Sequence, residues 1–310
     1  MLNCAHKVDC TYFPAGYDAK RPGRPGLFVL ERGGWRMGRF KKWLSIGLMC
    51  LLLVSTGHLL YQRVLYARAE KANAAAVQLA SRPARREEPV PEPAGETDPE
   101  ETAPREKTWV PAPVTEDPWV EELAAMDLAA LQEVNPDVIG WIFVPDTPVN
   151  FPLLQGEDNE TYLHLTWDLQ ENAAGSIFLE CWNDPALTDF HTIVYGHNML
   201  DGSMFHCIEN YADADYLAAH PYIYIITDAG VFRYTVFSTY RAYTDSATYG
   251  LSFRQEKTRL DFLAMAAEQT VVETAISPAV TDRILTLSTC SGATYATRWV
   301  VHAYLAMVQV

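Results

Sequence analysis

The chain is short of cysteine, of paired histidines and of basic charge, and each shortage removes a class of protein. Six cysteines among 310 residues are too few for a disulfide-stapled scaffold. In the last two thirds of the chain, His164, His191, His206, His220 and His302 show no ligand spacing such as His-x-x-x-His, and read as structural or surface groups. Lys and Arg number 24 against 39 Asp and Glu, and a net charge of -15 argues against nucleic acid as a partner, because phosphate binding wants cations. Internal repeats are lacking, and so is the βαβ rhythm of roughly 30 residues that a doubly wound fold requires. What remains is a 49 % hydrophobic share, ordinary for a chain with a packed core.

Charge is also missing locally. No Lys, Arg, Asp or Glu occurs between Lys42 and Arg63, so 43–62 is an uncharged run of 20 residues (WLSIGLMCLLLVSTGHLLYQ). A helix of that length spans about 30 Å, the thickness of a hydrocarbon core. Trp43 and Tyr61 sit at its ends, where amphipathic rings suit the interface, and Arg36, Arg39, Lys41 and Lys42 precede it. The positive-inside rule predicts a single-pass membrane protein with a cytoplasmic N-terminus and everything after about residue 63 outside. A buried core helix fits the basic flank poorly. A cleaved signal peptide has only Ala67 and Ala69 as a weak cleavage site, so an uncleaved signal anchor is the expectation.

The anchor divides the charge. Residues 1–71 hold 12 basic and 4 acidic groups (+8), leaving 24 − 12 = 12 basic and 39 − 4 = 35 acidic groups (-23) for 72–310. Residues 1–42 form the expected cytoplasmic segment. Of these, 1–36 show no helical or strand period, and Met37 opens a complete basic-then-apolar start, so Met37 is the expected natural start. Residues 63–117 read as an extracellular linker: 64–80 are Ala-rich and suit a helical continuation, and 82–117 are rich in Pro, Glu, Ala and Thr. The folded domain is then 118–310.

Within it, Trp119, Leu123, Met126, Leu128 and Leu131 recur at roughly helical spacing, predicting a helix over about 119–134. Strand-like runs follow at 138–144, 176–179, 192–195, 222–227, 231–243, 283–288 and 299–308, with a hairpin signal at Asp228-Ala229-Gly230. One long helical pattern, about 253–268, interrupts them. Many short strands and few helices predict a mainly β, closed or nearly closed barrel.

Three cysteines lie beyond the anchor: Cys181, Cys207 and Cys290. The first two could pair, but free buried thiols are the preferred reading. Cys290 ends the strand-like ILTLSTC, where a rigid scaffold can present a thiol. A thiol attacks only as thiolate and needs a histidine or cation beside it. His197 in IVYGHNM also ends a strand run. Arg298, eight residues after Cys290, starts another, from which its guanidinium could serve an oxyanion. On spacing alone this is a weak signal: a lone cysteine is usually a small core hydrophobe, and a lone strand-start arginine a solvated surface group.

Together, Thr286-Leu287-Ser288-Thr289-Cys290, Arg298 in ATRWVV and His197 in YGHNMLDGSMF resemble a class B sortase. The likeness extends through Asn135-Pro136-Asp137-Val138-Ile139-Gly140-Trp141-Ile142, Gln155-Gly156-Glu157-Asp158-Asn159, Tyr162-Leu163, Gly175-Ser176-Ile177-Phe178 and His220-Pro221, covering roughly 117–310. The resemblance implies a membrane-anchored cysteine transpeptidase of Gram-positive bacteria, a thiol-dependent peptidase in its cleavage step. It implies an eight-stranded β-barrel with N-terminal helices and a helix in the loop before the Cys-bearing strand. The partners implied are secreted proteins carrying a C-terminal sorting signal, NPQTN-like or LPXTG-like, and an amine of a peptidoglycan precursor or a pilin.

Carried over, Cys290 is the nucleophile, His197 the general acid and base, and Arg298 the oxyanion or carbonyl donor. Ser288, Thr289 and Asn159 are substrate contacts. The stretch SGATYAT between Cys290 and Arg298 lacks the acidic residue that some members carry after the cysteine, so a different signal could be accepted. Class A relatives hold calcium on acidic loops; no matching cluster is present, so neither metal nor other cofactor is expected. Trp167, Trp182 and Trp299 are expected in the core or a pocket wall. Two readings compete: a hydrolytic cysteine peptidase, and a catalytically silent wall-binding or scaffold module. A cell-wall L,D-transpeptidase is disfavoured, because its cysteine lies in a Ser-His-Gly context.

Overall fold

The computed structural model describes residues 34–81, 117–290 and 296–309. The expectation of a start at Met37 concerns residues 1–36, of which 1–33 lie outside this set. So do most of the Pro- and Glu-rich linker, 82–116, and the segment 291–295 between Cys290 and Arg298.

The first helix, α1 (Gly34–Ala80), contains the uncharged run, and compact structure divides within it, between Thr56 and Gly57. Before that division its large apolar side chains are exposed: Trp43, Leu51, Leu52, Leu53 and Val54 have no protein surface to cover them. An exposed aliphatic helix of this length is a candidate membrane span.

From Gly57 onward α1 behaves differently. Leu65, Ala76 and Ala80 are buried. The Trp167 indole donates to the Ala72 carbonyl at 2.7 Å, and the Asn172 amide to the Leu65 carbonyl at 3.0 Å. Residues 64–80, grouped with the linker by composition, thus form helix packed on the domain; small alanines let the two backbones approach.

The domain is a closed barrel of eight strands: β1 (Val138–Phe143), β2 (Asn150–Leu154), β3 (Ile177–Leu179), β4 (His191–Tyr195), β5 (Tyr222–Thr227), β6 (Gly230–Tyr243), β7 (Ile284–Cys290) and β8 (Thr297–Gln309). The order around it is β1-β2-β3-β4-β7-β8-β6-β5, and β1 pairs β5 to close it. Pairs β2–β3 and β4–β7 are parallel and the rest antiparallel. The alternation of strand side chains sends Leu153, Ile177, Val194, Ile225, Phe232, Leu285, Leu287 and Val301 inward as one core.

Two outer faces are covered. One carries the end of α1 from Ala72 to Ala80, α2 (Val120–Ala124) and α3 (Leu128–Gln132). The other lies under α5 (Glu256–Gln269), through Phe262, Leu263 and Ala266. A short α4 (Ala214–Ala219) follows β4. At the domain's first described residues, Asp117 accepts from Arg233 at 2.9 Å and from the Tyr224 hydroxyl at 2.8 Å, a buried pair that pins the chain to β5 and β6.

The expected single helix at 119–134 is two. The Asp127 N–H donates to the Ala80 carbonyl at the end of α1 at 2.8 Å, which takes it out of any helical ladder. The Asp127 carboxylate then caps α3 by accepting from Ala130 N at 3.1 Å. Cys181 and Cys207 are free thiols, with Cys207 buried. Trp167 and Trp299 are core residues as expected, but Trp182 is 82 % exposed: it follows the strand-end Glu180-Cys181 corner and faces water.

Candidate active site

β7 lies between β4 and β8, and this neighbourhood assembles the site. The parallel register of β4 and β7 pairs Tyr195 with Ser288 and is extended by the Gly196 N–H, which donates to the Ser288 carbonyl at 3.2 Å. Continued by two residues, it runs to His197 and Cys290. On the other side, the antiparallel register of β7 and β8 pairs Cys290 with Arg298. The three sequence candidates therefore stand on three neighbouring strand ends, Cys290 in the middle.

Gly196 is required at this corner. A Cβ there would stand 2.4 Å from Ile177 Cδ1 and 2.7 Å from the Phe205 ring. The ring of Phe205 and the side chain of Ile177 thus pack directly against the backbone just before His197.

A groove of about 320 Å³ opens at this end. Its lining includes His197, Arg298, Ser288, Thr289 and Asn159, five of the six residues singled out from the sequence, together with Glu180, Tyr195, Tyr249, Leu163, Phe178 and Thr244. Cys290 joins them through its backbone register. The second group was missed. Tyr195 had a signal, as the last residue of β4 two positions before His197, because strand alternation continued past the end returns it to the same face. Tyr249 had none: it sits on a 3₁₀ turn, Ala247–Tyr249, in the long β6–α5 connection.

His197 Nε2 lies 2.9 Å from the Leu163 carbonyl. A carbonyl only accepts, so in the neutral ring Nε2 carries the hydrogen and Nδ1 the lone pair. Burial lowers the His197 pKa; the Leu163 bond opposes this, while His164 and Arg298 push the same way as burial. The ring is thus held neutral at pH 7. Arg298 is half-buried and donates to the Thr297 carbonyl at 3.1 Å.

The other wall is organised by Glu180, a buried carboxylate. It accepts from Asn159 Nδ2 at 2.7 Å, from the Tyr195 hydroxyl at 2.8 Å and from the Cys181 thiol at 3.4 Å. Asn159 Oδ1 in turn accepts from Cys181 N at 2.9 Å. Burial first, then Glu180, raises the Cys181 pKa, so this thiol stays protonated. Ser288 Oγ is bonded to the Tyr249 hydroxyl at 3.0 Å. Thr289 Oγ1 is buried with no hydrogen-bond partner among the described residues. Among those residues no group of three or more His, Cys, Asp or Glu could hold a metal ion.

A strand-end cysteine flanked by histidine and arginine at the mouth of a mixed eight-stranded barrel defines a class, the cysteine transpeptidases of the sortase type. The Sortase domain family model matches residues 142–306. The chain belongs to the sortase family, in class B. It is 37 % identical over 164 residues to Sortase B of Listeria monocytogenes (53 % of this chain, 67 % of the relative). It is 32 % identical over 164 residues, with the same coverage, to Sortase B of Staphylococcus aureus. Among solved structures, the S. aureus sortase B-substrate complex matches at TM-score 0.56 and 32 % identity, covering 59 % of this chain and 85 % of that one. The Bacillus anthracis protein similar to sortase B matches at 0.55 and 35 %, covering 59 % and 83 %.

Proposed function

We propose that this sortase cleaves a C-terminal sorting signal of secreted proteins through a thioester on Cys290 and transfers the acyl group to a cell-wall or pilin amine. The observation that carries the reading is the register that flanks Cys290 with Arg298 on β8 and with the β4 end bearing His197. The Cys290 sulfur, as thiolate, attacks the scissile carbonyl carbon. The oxyanion that forms is stabilised by the Arg298 guanidinium. The C–N bond breaks as His197 gives a proton to the leaving amine, and a thioester remains. The incoming amine attacks that carbonyl and loses a proton to His197, and the C–S bond breaks.

The lowered His197 pKa suits the second half, where a neutral imidazole must accept a proton; the first half draws on the minority of molecules carrying thiolate and imidazolium together. Ser288, Thr289 and Asn159 contact the peptide in this reading, Asn159 oriented by Glu180. The apolar run of α1 anchors the enzyme, with the N-terminus cytoplasmic and the barrel outside.

The test is incubation of the full chain with a library of signal peptides, with and without an added amine, read by product mass. An acyl–amine product supports transfer. Acid product alone, even with amine present, supports a hydrolytic peptidase; no cleavage of any peptide supports a silent scaffold. Cys290→Ala and Arg298→Ala each abolish or severely reduce cleavage while the domain stays folded. Full activity in either variant overturns the mechanism.

A further inference from the structure

A ring of buried hydrogen bonds runs through four neighbouring strands and begins and ends on the same short turn. His191 Nδ1 on β4 lies 2.7 Å from the Gly250 carbonyl, and its Nε2 lies 2.7 Å from Thr286 Oγ1 on β7. Thr286 Oγ1 lies 2.7 Å from His302 Nδ1 on β8. His302 Nε2 lies 3.0 Å from the Tyr240 hydroxyl on β6, which lies 2.9 Å from Thr248 Oγ1. All five side chains are buried.

The direction of every link follows from one carbonyl. Gly250 O accepts, so His191 Nδ1 donates. Burial lowers the pKa of His191 and of His302, so both rings are neutral, and His191 Nε2 accepts from the Thr286 hydroxyl. Thr286 then accepts from His302 Nδ1, His302 Nε2 accepts from the Tyr240 hydroxyl, and Tyr240 accepts from Thr248. No donor or acceptor is left over for a second arrangement, so the ring has one polarity.

The residue between its two ends is Tyr249. Its neighbours Thr248 and Gly250 are held by the ring, and its hydroxyl bonds Ser288 Oγ in the groove. The enclosed buried core alone would be served as well by apolar side chains of similar volume, which need no fixed partners. We propose that the ring is a positioning device for substrate selection: by holding Thr248 and Gly250 it fixes Tyr249 as the groove wall against which the peptide is chosen, with Tyr240, Thr286 and His302 as positioning residues. This rests on the groove being the peptide site.

Two readouts separate the ring from that premise. Hydrogen exchange of the 247–250 amides in the full chain needs no substrate. Tyr240→Phe, which removes only one hydroxyl, and Thr286→Val should each speed that exchange at least about tenfold, and Thr286→Ser should restore it. Unchanged exchange in Tyr240→Phe overturns the ring. In peptide cleavage, Tyr240→Phe should raise KM about tenfold with kcat within about twofold, as Tyr249→Ala does, and the double variant should be no worse than Tyr249→Ala alone. A loss confined to kcat shows general core support and overturns the proposal. If exchange responds but Tyr249→Ala leaves KM unchanged, the ring stands, the groove reading fails, and the selection role falls with it.

Discussion

Acid should weaken this barrel through its buried histidine pair. His191 and His302 are fully enclosed between one face of β4, β7, β8 and β6 and the helix α5 that covers it, where both rings meet Phe262, and burial is the leading cause of both shifts, with the Gly250 bond and Asp189 opposing it at His191. His191 is held at about 4 against a usual value of 6.5. Because the folded value is the lower one, the unfolded chain binds more protons than the folded chain between the two. Stability is therefore fully present above about pH 6.5 and is lost as pH falls toward about 4. For His191 alone the loss between about pH 7 and pH 5 comes to about 2 kcal/mol. His302 adds in the same direction, and the two rings titrate as a pair through Thr286. Urea unfolding of the full chain in mild detergent, followed by tryptophan fluorescence at the two pH values, measures the loss. His191→Asn supplies the reference: an amide N–H replaces the bond to Gly250 but does not titrate. The variant should lose about 2 kcal/mol less than the wild type on the same acid step. Equal acid losses in the two proteins would refute the assignment of a neutral, buried imidazole at 191.

Two further substitutions probe the groove. Gly196→Ala places a methyl group against Ile177 and Phe205, so it should cost about 1–3 kcal/mol of stability and lower kcat by shifting His197; an unaltered melting temperature and kcat would refute the close-approach argument. Glu180→Gln must turn an N–H₂ toward either Asn159 or Tyr195, both of which donate to Glu180, so peptide KM should rise about tenfold with little change in kcat. Steady-state kinetics at constant pH check this, and an unchanged KM would show that neither wall residue depends on the carboxylate.

Strands with strong apolar and β-branched runs were legible from sequence, and the Asp228-Ala229-Gly230 turn correctly joined β5 to β6, with Thr227 opposite Gly230. β2 was not legible, because Pro152 stands at its centre and demotes the run. In the structure Pro152 stands opposite Trp141 on β1, while the pairing of β2 with β3 begins only at Leu153, so on that side the proline lies outside the ladder. The break between α2 and α3 was hidden for a related reason. Leu123, Leu128 and Leu131 are all buried, so the apolar period runs across a corner that is made by a carbonyl on α1, over forty residues away in the chain.

The site shows the same division between what a pattern carries and what only topology carries. Cys290 and Arg298 are close in sequence, and the antiparallel pairing of consecutive strands sets them opposite each other. His197 stands far from both, and no period or spacing links it to them; the link is the parallel pairing of β4 with β7, which needs the crossover through β5, β6 and α5 before the strands can meet. That crossover also carries Tyr249. The connection that brings β7 beside β4 thus delivers the groove wall as well, and the ring from Thr248 to Gly250 closes over β6 and the three strands that align the catalytic candidates. A change that slips β7 against β4 would therefore move His197, Ser288 and Tyr249 together, which makes the barrel register itself, more than any one side chain, the determinant of the site's geometry.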